Sequence, residues 1–100
     1  MSEQIEAIRE VIDIMDATLL DVINRRVALT GRIGELKRTA ELPCRDPIRE
    51  ANLRQRIALV NSGPLRDATA HRIFELIIAE CRTFQRVRDL PPQEEVHSRP

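Results

Sequence analysis

Arg26 and Lys37 lie eleven residues apart, close to three helical turns, so on one helix they point the same way, about 16 Å from each other. Both side chains are long enough to converge on one small anion between them. Arg26 also stands where another residue type is due. Stepping by threes and fours, Ile5, Ile8, Ile12, Met15, Leu19, Val22, Leu29, Ile33 and Leu36 form an apolar seam in which position 26 alone is cationic. Arg49 and Glu50 come just after Asp46-Pro47, in the first turns of a helix. The positive end of the helix dipole and unpaired backbone N–H groups there suit a carboxylate or a hydroxyl. Gln85 follows Cys81 by four residues on the stripe Phe74, Ile77, Ile78, Cys81, Phe84. An uncharged amide at that place can donate a hydrogen bond inside a dry pocket.

The sequence shows no nucleophile–base pair, no paired-carboxylate motif and no Gly-rich phosphate loop. His71 and His97 have no ligand-like neighbours at metal spacing, so no metal is expected. Several cations, one amide and apolar walls suit a small dianion whose reaction needs neither proton transfer nor a covalent intermediate. Catalysis would come from holding a reactive conformation and from hydrogen bonds to charge that develops in the transition state. Singly, each residue also has a structural reading: Arg26 as a snorkelling side chain or half of an ion pair, Lys37 as a solvated helix end, Gln85 as a satisfied core amide. Cys81 reads as a small core residue rather than a nucleophile. Arg32, Arg38, Arg54, Arg56, Arg82, Arg86 and Arg88 read as solvated surface, as do Asp13, Asp16 and Glu35.

Sixteen basic and sixteen acidic residues cancel, and the two aromatics are both Phe, so nothing favours nucleic acid. No apolar run reaches the roughly 18 residues of a membrane span, and the polar start "MSEQIEAIRE" does not read as a signal peptide. Two cysteines, Cys44 and Cys81, fit a reduced compartment. A cytoplasmic single domain is expected.

These residues need three helices to position them, so the class is all-α. The first spans about residue 4 to about 39 without a proline, a rod about 54 Å long. A compact 100-residue domain has a radius of gyration near ~13 Å, so part of the seam must find another chain. Arg9 lies 17 residues before Arg26, about 25 Å away and about 100° round the axis, so it can serve only a site in another subunit. Gly31 and Gly34 mark either a close approach of a ligand or helix, or a soft spot. Asp46-Pro47 starts the second helix and Gly63-Pro64 ends it; the third begins near Asp67 and stops before Pro91-Pro92. Residues 1–90 form the helical domain, and 91–100 are expected to be a disordered tail.

Three segments in this order, "IREVIDIMDATLLDVINRRVALTGRIGELK", "PCRDPIREANL" and "IFELIIAECRTFQ", resemble the all-α (AroQ-type) chorismate mutases over residues 5 to about 88. The resemblance implies an intertwined homodimer with the long first helices side by side. It implies the Claisen rearrangement of chorismate to prephenate, without a cofactor. Arg26 and Arg49 match the carboxylate-binding arginines of one subunit, and Arg9 the arginine supplied by its partner. Lys37 and Gln85 match the pair that hydrogen-bonds the breaking ether oxygen. The backbone at Asp46 and the side chain of Glu50 match contacts to the ring hydroxyl, and Ile33 and Ile78 match apolar walls against the ring. Cys81 departs from the serine common in bacterial members, which touches the ligand's polar end.

The nearest alternative keeps the fold and changes the substrate: a 4-amino-4-deoxychorismate mutase, in which Glu50 would accept an ammonium. An isochorismate pyruvate lyase ranks lower, because "RDPIRE" follows the mutase pattern. A non-catalytic helical dimer would explain the seam but not Arg9, Arg26, Lys37, Arg49 and Gln85 together.

Overall fold

The computed structural model describes residues 2–43 and 45–89, without the side chains of residues 87–89. The expected tail 91–100 and Cys44 lie outside the described residues. Three helices follow one another: α1 (Glu3–Thr39), α2 (Pro47–Val60) and α3 (Asp67–Asp89). No strand occurs among the described residues.

Local chemistry sets the ends of α1. Ser2 Oγ accepts from the backbone N–H groups of Gln4 (3.2 Å) and Ile5 (3.4 Å), and Glu3 and Glu6 face the positive end of the dipole. At the other end the Glu41 N–H donates to the Arg38 carbonyl and the Leu42 N–H to the Lys37 carbonyl. This double clasp ends the helix two residues after Lys37, and it puts Glu41 at φ 57°, a left-handed conformation usually given to glycine.

In α2, Asp46 Oδ1 accepts from the Arg49 N–H at 3.0 Å and Pro47 occupies the first turn. The helix stops at Val60, before Gly63-Pro64. The Asn61 side chain donates to the Leu65 carbonyl (2.8 Å) and to Asp67 Oδ1 (2.6 Å), which folds the loop back onto the start of α3. Asn61, rather than the Gly-Pro pair, is the stop signal.

Helix α3 is the element on which both others pack. The core is small: Ile57, Ala70, Ile78 and Cys81 are the buried hydrophobic side chains, and α1 buries only Gly31 and Gly34. A Cβ on Gly34 would lie 3.3 Å from both Cγ and Nε2 of Gln85, so the glycine permits close approach of α3. Across the α2–α3 contact, Arg54 Nε donates to Glu75 Oε1 at 2.5 Å. Arg54 is therefore paired rather than merely solvated. That hydrogen bond holds the Glu75 carboxyl below its usual range and raises the Arg54 guanidinium. A lowered folded-state value means that the pair's contribution is present at neutral pH and fades as pH falls through that value.

The N-terminal half of α1 stands clear of α2 and α3. Every residue from Ser2 to Val22 is exposed, and the molecule extends 57 Å with a radius of gyration of 17.8 Å.

Candidate active site

A cavity of about 160 Å³ opens where the three helices meet. Helix α1 lines it with Arg26, Thr30, Ile33 and Lys37, four positions that recur at helical spacing and share one face. The segment into α2 supplies Arg45 and Asp46, and α2 itself Arg49, Glu50 and Leu53. Helix α3 supplies Ile78, Cys81, Arg82 and Gln85. Five cationic side chains thus surround a small space that holds two carboxylates.

Hydrogen bonds already engage both carboxylates. Asp46 caps α2. Glu50, 15% exposed at its side chain, accepts from Arg82 through both oxygens, Nε to Oε2 at 3.2 Å and Nη2 to Oε1. Arg45 Nη2 donates to the same Oε1 at 3.4 Å. The charge left over for a ligand is positive.

Two side chains are aimed by their neighbours. Arg26 Nη1 donates to the buried Cys81 Sγ at 3.1 Å, which orients the guanidinium and leaves its other donors for an anion. Gln85 Nε2 donates to the Thr30 carbonyl at 2.9 Å, over Gly34. One amide hydrogen is held there, and the second can reach the cavity.

Nine of the ten residues singled out from the sequence come together: Arg26, Ile33, Lys37, Asp46, Arg49, Glu50, Ile78, Cys81 and Gln85. Arg9 does not join them. It pairs with Glu6 at 3.2 Å on the exposed end of α1. Arg82 corrects its reading as solvated surface, since it lines the cavity and clamps Glu50. Its position one residue after Cys81 and three before Gln85 is the available signal. Thr30, Arg45 and Leu53 also line the cavity without standing out in the sequence. Of these, Thr30 carries a signal: it follows Arg26 by four residues on the same face.

The sequence matches the family of chorismate mutase type II over residues 8–86. The chain belongs to that family. This chorismate mutase-family chain is 37% identical over 78 residues to the bifunctional chorismate mutase/prephenate dehydratase of Neisseria gonorrhoeae, covering 78% of this chain and 21% of that one. It is 35% identical over 90 residues to the 4-amino-4-deoxychorismate mutase of Streptomyces pristinaespiralis, covering 81% of this chain and 64% of that one. The chain thus spans about a fifth of the first relative and under two thirds of the second. In structure it is similar to the Form II chorismate mutase of Thermus thermophilus, with a TM-score of 0.79 and 28% identity over 84% of this chain and 96% of that one.

Among the described residues no three His, Cys, Asp or Glu side chains cluster as a metal site, and no helix is long and apolar enough to cross a membrane. The family fold brings to one cavity a cation pair on α1, an amide on α3 and a polar helix start on α2. Such a site can bind a dianion and fix its shape.

Proposed function

We propose that the chain is a chorismate mutase, converting chorismate to prephenate by Claisen rearrangement without a cofactor. One observation carries the reading: the cations Arg26, Lys37 and Arg49, the Gln85 amide and the walls Ile33 and Ile78 line one cavity. In the reaction one C–O bond breaks, one C–C bond forms and no proton leaves. Arg26 and Arg49 bind the carboxylates through planar forks and so select the folded, chair-like conformer. Lys37 and Gln85 donate to the ether oxygen. Charge on that oxygen grows only as its bond breaks, so these contacts strengthen in the transition state. The backbone at Asp46 and the Glu50 carboxylate receive the ring hydroxyl, while Cys81 sets the Arg26 guanidinium.

The working unit is a homodimer in a cytoplasmic setting. Along α1 the seam residues Ile5, Ile8, Ile12, Met15, Leu19 and Val22 are between 45% and 62% exposed. Val11, Ile14 and Leu20 beside them are also exposed, so the partner wraps the helix instead of touching one edge. A second copy supplies that cover and carries Arg9 to the neighbouring cavity. The exposed Glu6–Arg9 pair is weak and readily exchanged for a substrate carboxylate.

A second reading, the 4-amino analogue as substrate, is favoured by the likeness to the Streptomyces protein and by Glu50 at the ring substituent. Purified chorismate, with products identified by mass and chromatography, tests the main reading. Prephenate should form, and Lys37→Ala should lower kcat by about 10²–10³-fold in a protein that keeps its helicity. Unchanged turnover in that variant would overturn the assignment.

A further inference from the structure

We infer that the Arg82–Glu50–Arg45 cluster makes the site selective for a neutral hydroxyl over an ammonium on the substrate ring, an inference that rests on the mutase reading. Glu50 alone would receive either group. In the folded chain it is not alone. Oε1 accepts from both Arg82 and Arg45, and Oε2 accepts from Arg82. Each carboxylate oxygen offers about two lone pairs, so one position, on Oε2, is left. A single O–H donor fits it.

An ammonium brings three N–H donors and a further positive charge to a rim where Arg45, Arg49 and Arg82 already stand. Its carboxylate partner has been neutralised by the guanidinium fork, and the like charges oppose it. Arg82 is a positioning residue: it acts on substrate through Glu50. Helix α3 presents it beside Gln85, so one helix sets both the ether-oxygen contact and the ring-substituent preference.

The test compares chorismate and 4-amino-4-deoxychorismate on the full chain and on Arg82→Met, Arg82→Lys and Arg45→Met, reading kcat and KM for each. The unaltered protein should favour chorismate in kcat/KM by at least about tenfold, and Arg82→Met should shrink that ratio about tenfold, mainly through a lower KM for the amino substrate. Arg82→Lys keeps the charge and should hold the ratio within about threefold. Arg45 is 65% exposed at its side chain, so Arg45→Met tests the cluster even where Arg82→Met fails to fold, with a smaller shrinkage expected. A ratio unmoved in Arg82→Met, or in Arg45→Met where only that variant folds, overturns the inference and leaves the mutase reading standing. So does a preference of the unaltered protein for the amino substrate. Turnover of neither substrate by the unaltered protein overturns both.

Discussion

The two halves of α1 share one periodic pattern and meet opposite surroundings. From Arg26 to Lys37 the helix packs on α3, buries Gly31 and Gly34 and lines a charged cavity. From Ser2 to Val22 every side chain is exposed, apolar seam included. The contrast separates two kinds of incompleteness. At the packed end the apolar rule is broken at Arg26, where a ligand carboxylate can complete the seam. At the open end the rule is kept and no protein surface meets it, and Arg9 sits among these uncovered residues. The open half therefore matters for chemistry only if a second chain covers it.

That contrast can be broken first at the seam. Leu19→Glu places a charge in the middle of the open half, far from the cavity. It should abolish the dimer in sedimentation and reduce turnover by at least about 10²-fold, because a buried unpaired charge opposes assembly. A dimer with undiminished turnover would show that the open half is idle. At the packed end, Gly34→Ala adds a methyl 3.3 Å from the Gln85 amide nitrogen. Gln85 must yield by a few tenths of an ångström, and kcat should fall by up to about tenfold, with the melting temperature changed little because alanine favours the helix. An unaltered kcat would mean that the Thr30–Gln85 hydrogen bond does not limit the reaction. The smallest effect lies at the junction after α1. Glu41→Gly relieves a left-handed residue at φ 57° and should raise stability by about 1 kcal/mol, read by thermal melting, with turnover intact. A lower melting temperature would show that the Glu41 side chain contributes more than its backbone costs.

Much of this is legible in the sequence because it is written in local terms. Periodicity marks three helices, Asp46-Pro47 marks the start of α2, and Arg26 is conspicuous as a break in a nine-membered apolar series. The end of α2 is less legible, because Asn61 works through its side chain to Leu65 and Asp67, a contact that composition does not announce. Arg82 is hidden for a similar reason. Its partner Glu50 lies 32 residues away, and nothing local distinguishes a clamped arginine from a solvated one. Thr30 contributes a backbone carbonyl to Gln85, which no side-chain pattern encodes.

The composite site is tested most directly by mixing two defective chains. Arg9→Ala and Lys37→Ala homodimers should each be nearly inactive. Co-refolded in equal amounts, they should recover about a quarter of the unaltered activity, because half the dimers are mixed and each mixed dimer holds one intact site. A mixture no more active than the sum of its parents would contradict a site built from two chains.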